Sequence, residues 1–168
     1  MDASTSIGIG GVHGYDYFSI VHADLTPVIS DCPGWETFPQ VPIAWIELLV
    51  AFVAVSLFGP RYPGHLVVLY SDNTNVVAWL GSSRCPPNPS VGTVIAALER
   101  IKYEHLLKLS VRHIPSAQNR TADLLSRNRI PTWLRHRGTR LTPPLSSLMR
   151  FTHLDYLAPS WLHTISRS

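Results

Sequence analysis

Cysteine and charge are both scarce in this sequence, and several common catalytic signatures are missing. The two cysteines, Cys32 and Cys85, form no CxxC pair and stand at no Cys/His ligand spacing. They read as free thiols of a reducing, intracellular compartment, cytoplasm or nucleus. Charged residues make up 15% of the chain against 45% hydrophobic, a globular composition with little surface charge that expects covering by neighbours. No basic-then-apolar signal segment opens the chain. The longest apolar run, residues 43 to 58, holds Glu47 and stops at Gly59-Pro60; it is too short and too acidic in its middle for a bilayer, so no membrane partner is expected. There is no GxSxG, and the eight histidines show no HExxH spacing, which removes nucleophile-elbow and zincin chemistry. The glycines at 8, 10 and 11 lack a following Lys-Ser/Thr, so they make no P-loop.

Proline, by contrast, is plentiful, with 14 residues, and the net charge is +3 at a pI near 9.1. A mildly basic chain permits a nucleic-acid partner without demanding one. A length of 168 residues suits one domain with room for a tail.

Along the chain, Gly8, Gly10 and Gly11 suit a strand with a bulge or a close backbone approach. Tyr17 to Val21 and the stretch around Val28-Ile29 read as further strands separated by Asp24 and Pro27, so the first third is expected to be a β-meander, with Asp16, Asp24 and Asp31 in its turns. Residues 33 to 42 form a Pro-rich connector. Residues 43 to 58 (IAWIELLVAFVAVSLF) are apolar on every face and predict a buried helix. Val67 to Tyr70 reads as a buried strand, Asp72 lies at its exit, and Val76 to Leu80 start a helix. Residues 82 to 90 read as a stiff loop. Residues 91 to 107 read as an amphipathic helix with Val94, Leu98, Ile101 and His105 or Leu106 inward and Glu99, Arg100, Lys102 and Glu104 wet. Leu109 to Ile114 is a short strand stopped by Pro115, and Asn119 is placed to cap a helix containing Thr121 to Leu125.

Four carboxylates fall in telling places: Asp2 at a strand start, Glu47 in a buried helix, Asp72 at a strand exit and Asp123 in a first helical turn. Three of them have an ordinary reading. Asp72, Asn73 or Thr74 caps a helix; Glu47 reaches the surface or an arginine; Asp123 compensates the helix dipole. Together they have another. A lone buried carboxylate stays protonated or finds a cation or donors, and an open α/β sheet places its ligands outside the strand ends. Oxygen ligands of this kind suit hard divalent cations, and a pair of Mg²⁺ ions about 3.5 to 4 Å apart can activate water and steady a leaving oxygen in phosphodiester cleavage.

The succession Asp2-Ala3-Ser4 with downstream GxGG, WIELL around Glu47, YSDN around Asp72 and RHIPSAQNRTADLLSR from Arg112 to Arg127 resembles the ribonuclease H domain of retroelement polyproteins, DIRS-like and Gypsy-like reverse transcriptases in particular. The resemblance covers about residues 2 to 128. Its most specific motif is HIPxxxNxxADxLSR, and the order Asp, Glu, Asp, Asp separates it from integrases, whose Glu comes last. It implies a ribonuclease H-like α/β fold, a five-stranded mixed sheet flanked by helices. It also implies two bound Mg²⁺ ions, or Mn²⁺, and hydrolysis of the RNA strand of an RNA–DNA hybrid beside the reverse transcriptase domain of the same polyprotein. By the resemblance Asp2 and Asp72 are shared metal ligands, Glu47 holds one metal and orients the 2′-OH, and Asp123 completes the other metal's shell. Asn73, Thr74, Asn119, Arg127, Arg129, Arg135 and Arg137 are the expected nucleic-acid contacts, with capping the first duty of Asn73 and Thr74.

The sequence departs from that family at Ser116, where cellular enzymes carry a loop histidine and retroelements a glycine. It also has no basic protrusion before residue 91, and only Met1 precedes Asp2, which suggests a piece of a longer polyprotein. His113 is expected to be structural, at a strand end. Residues 129 to 168 are expected to be an irregular basic, Pro/Ser-rich tail or linker. Five arginines and Trp133 lie within residues 127 to 140, a composition able to follow a nucleic-acid backbone, and no recombinase residue set follows. The competing expectation is an inactive retroelement remnant that folds and binds nucleic acid only.

Overall fold

A computed structural model of the chain describes residues 1–29, 43–82 and 89–143. The Pro-rich connector, both cysteines, Asp31, most of the 82 to 90 loop and residues 144 to 168 lie outside the described residues.

Gly8 to His13 (β2) and Asp16 to Val21 (β3) form a hairpin, and the two-residue β1, Asp2–Ala3, pairs antiparallel with β2, Asp2 opposite Gly10. The turn of the hairpin is made by Gly14 at φ 60°, a left-handed conformation that glycine adopts without steric cost. Where a third strand was expected at Val28-Ile29, the chain instead forms α1, His22–Ile29, with Asp24 in its first turn. Helix α2 then covers Ile43–Phe58 as its composition predicts, buried from Ala44 to Val55. With the following 3-10 turn it is long and apolar enough to cross a membrane, and 78% of that window is buried inside this domain.

Strand β4, Leu66–Ser71, runs parallel to β5, Lys108–His113. Between them come α3, Thr74–Gly81, and α4, Pro89–Glu104. One face of β4 carries buried Leu69 and Ser71, while Leu66 and Tyr70 on the other are exposed, so β4 is half-buried rather than fully buried. In α4, Val94 and Leu98 are buried, and Glu99–Lys102 and Arg100–Glu104 pair on the wet side. Leu106 does not join the inward face: at φ 55° it leaves the helix and is 74% exposed, and Leu107 takes the buried place.

The hydrogen bonding joins a four-stranded sheet, β1-β2-β3-β6 with β6 at Thr139–Arg140, and a two-stranded sheet, β4-β5, instead of the expected five strands. The reason is local. β1 is only two residues long, and beside it the Met1 ammonium nitrogen donates to the Tyr70 carbonyl of β4 at 3.3 Å, which is no ladder.

After α5, Arg120–Ser126, the described part of the expected irregular tail is not irregular throughout. It holds α6, Thr132–Arg137, and β6, Thr139–Arg140, which pairs parallel with β3. Leu134 anchors it, fully buried with Tyr17 and Leu125.

The sheet has a helix on each face. Ile9 and Phe18 join the α2 core cluster. Gly10, one residue along β2 and so facing the other way, meets α5: a Cβ there would stand 2.5 Å from Leu125 Cβ and from the Ser126 nitrogen.

Candidate metal centre

Asp2, Glu47 and Asp72 reach one point from three elements. β1 sets Asp2 beside the β4 end, α2 passes under β1 and offers Glu47, and the apolar run of β4 ends at Ser71 so that Asp72 follows it. One carboxylate oxygen from each lies within 4.8 Å of the other two. Asp123 and Arg127 of the α5 end, with Ala3, Ile43, Asn73 and Ser116, line the same open cleft of about 350 Å³. Asp123 is not within the inner three. Its Oδ1 accepts from Arg127 Nε at 2.8 Å, an i,i+4 pair on the exposed helix surface.

Glu47 is 3% exposed. Its Oε1 accepts from the Ala3 amide at 2.8 Å, and its Oε2 is buried with no hydrogen-bond partner among the described residues. Among the described residues no arginine pairs with it, and it is all but withdrawn from solvent. Burial first, and the nearby Asp2 carboxylate second, push its pKa up to about 8. Asp2, 7% exposed, is also raised, chiefly by burial, with a hydrogen bond from Ser126 opposing and the charges of Asp72 and Asp123 adding. Three carboxylates so crowded repel one another, and a buried orphan oxygen costs roughly 1–3 kcal/mol. An all-oxygen donor set with that orphan fits a hard divalent cation.

Asn73 caps α3, its Oδ1 accepting from Asn75 N at 3.0 Å and Val76 N at 3.4 Å. Thr74 is exposed at the helix start, and His113 is the exposed last residue of β5. Asn119 corrects two expectations. It stands at the N-cap of α5, yet its side chain makes no cap bond, and at 5% exposed it is not available to nucleic acid. Its Nδ2 instead donates to the Met1 carbonyl at 2.9 Å and faces Asp72 Oδ1 at 3.3 Å and Asp2 Oδ1 at 3.4 Å. Ser126, passed over in the sequence, donates to Asp2 Oδ2 at 2.7 Å; only its place three residues after Asp123 hinted at it. Arg129, Arg135 and Arg137 are exposed, and Trp133, 44% exposed, meets Tyr15 edge to face at 6.1 Å.

Comparison with protein-family models, with curated proteins and with solved structures found no match for this chain.

Proposed function

We propose that the cleft is a two-metal phosphodiester hydrolase site and that the protein is a ribonuclease H of the retroelement kind, cutting the RNA strand of RNA–DNA hybrids. The observation that carries this reading is Glu47 Oε2, a buried, unpartnered carboxylate oxygen beside Asp2 and Asp72. The topology is compatible with it: an antiparallel β1-β2-β3 unit, a parallel β4-β5 pair whose Tyr70 carbonyl meets Met1 just before β1, and helices α2 and α5 on opposite faces. The HIPxxxNxxADxLSR motif adds the substrate class.

In this reading Asp2 and Asp72 are shared by the two cations, Glu47 holds one of them, and Asp123, at the rim, completes the shell of the other. Bound there, Mg²⁺ or Mn²⁺ would supply an activated water and charge stabilisation at the leaving oxygen. The residues of the chain do the rest. The buried Glu47 must give up its proton, so loading releases a proton and favours higher pH. Arg127, held by Asp123, brings a cation to the cleft mouth, and exposed Arg129, Arg135 and Arg137 with Trp133 offer phosphate and stacking contacts. Selection of the hybrid rests on groove shape and the 2′-OH.

The test is cleavage of a labelled RNA–DNA hybrid by the full chain, with duplex DNA and duplex RNA as controls. Mg²⁺-dependent cutting of the RNA strand only, abolished by Asp72→Asn and by a chelator, is expected. A chain that binds the hybrid and cuts nothing at any Mg²⁺ or Mn²⁺ concentration would instead be the inactive remnant.

A further inference from the structure

Both oxygens of Asp2 are taken by donors from one side of α5. Ser126 Oγ lies 2.7 Å from Asp2 Oδ2 and 2.9 Å from the Asp123 carbonyl. The hydroxyl has one proton for two acceptors, and an ionised carboxylate makes the stronger bond of the two. Asn119 Nδ2 has two hydrogens for three oxygens: the Met1 carbonyl at 2.9 Å, and Asp72 Oδ1 and Asp2 Oδ1 at 3.3 and 3.4 Å. Its amide thus stands between two like charges. The two residues are seven apart, about two turns, and so lie on one side of the helix. Both are buried, at 1% for Ser126 and 5% for Asn119. They reach Asp2 because its ladder partner is Gly10, whose missing side chain lets α5 lie against the sheet.

We propose that Ser126 and Asn119 are positioning residues: α5 clamps the Asp2 carboxylate and aligns Asp72 with it, and thereby sets the affinity of the cleft for a divalent cation although neither residue is a ligand. This rests on the metal-site reading above. The hydroxyl on Oδ2 fixes the rotation of the carboxylate and leaves the Oδ1 edge turned toward Asp72. The amide holds the two Oδ1 atoms on one side of the cleft before any cation arrives. Partners of this kind, one bond removed from the ion, are typically worth about 10 to 100-fold in metal affinity.

Mn²⁺ binding by the full chain, followed by the EPR signal of free Mn²⁺, tests the clamp. Ser126→Ala should weaken binding about tenfold, Ser126→Thr, which keeps the hydroxyl, should stay close to the parent, and Asn119→Ala should also weaken it. Urea unfolding of each variant without metal separates a fold defect from a site defect; if Ser126→Ala does not fold, Ser126→Cys, with a weaker donor of similar size, takes its place. A Ser126 variant that is less stable but binds Mn²⁺ as tightly as the parent overturns the clamp and leaves the metal site standing. A parent chain whose Mn²⁺ binding is absent, or unaffected by Asp72→Asn, removes the metal site and the clamp with it.

Discussion

Glu47 is the residue at which stability and proposed function pull in opposite directions. Its folded pKa of about 8 lies above the ordinary 4.5, so the folded protein holds a proton that the unfolded chain has lost between those values. The associated stabilisation is fully present below about pH 4.5 and is lost as pH rises toward 8, at up to about 1.4 kcal/mol per pH unit. Asp2, also raised, adds to the same trend. In the absence of divalent cations, Glu47→Gln is therefore expected to melt higher than the parent at pH 8 to 9 and to show a flatter stability–pH profile across pH 5 to 8. Thermal melts in chelator check this, and identical slopes for the two proteins would mean that Glu47 ionises in the fold as readily as in water. With Mn²⁺ present the order should reverse, because only the parent gains from binding the ion. The position of Glu47 was legible in the sequence as an acid inside an all-apolar helix. Its partners were not, since the Ala3 amide lies 44 residues away in the chain.

At the scale of elements, the contact between β2 and α5 sets the site. The glycines of β2 were readable as a close backbone approach, and Gly10 is where it happens, with no room for a Cβ against Leu125 and Ser126. Gly10→Ala is expected to cost about 1–3 kcal/mol by overpacking and to push α5, with its hold on Asp2, away from the sheet. Urea unfolding and Mn²⁺ affinity should thus fall together; a variant of unchanged stability would place α5 elsewhere. The ends of α5 show how tertiary contacts override local rules. At its start Asn119, the right residue for a cap, turns its side chain to the carboxylates instead. Its C-terminal end closes with Asn128 at φ 55°, the Asn128 amide donating to the Leu125 carbonyl at 3.0 Å and the Arg129 amide to the Leu124 carbonyl at 2.8 Å, a left-handed cap that asparagine tolerates. Periodicity found α2, β4 and β5 closely. It failed at Val28-Ile29, where two β-branched residues suggested a strand and the chain is helical, because propensity over so short a stretch is weak.

For the molecule as a whole, the arginine-rich stretch after residue 128 belongs to the folded unit as far as it is described. Leu134 fills a pocket between Tyr17 and Leu125, β6 adds to β3, and Arg140 Nη2 donates to the Ser19 carbonyl at 2.8 Å. Leu134→Ala should cost about 2–5 kcal/mol, measured by chemical unfolding of the full chain; a loss below 1 kcal/mol would mark residues 132 to 140 as a loosely attached arm. Composition determined that a buried helix runs from 43 to 58, that its glutamate needs an explanation, and that acids stand where a β4 strand ends and an α5 helix begins, because burial and periodicity are written into residue type. Tertiary structure alone decided that Asp2, Glu47 and Asp72 share one point while Asp123 stays at the rim. It also decided that Asn119 and Ser126 hydrogen-bond Asp2, because those distances depend on how four elements far apart in the chain pack, and no local pattern carries that information.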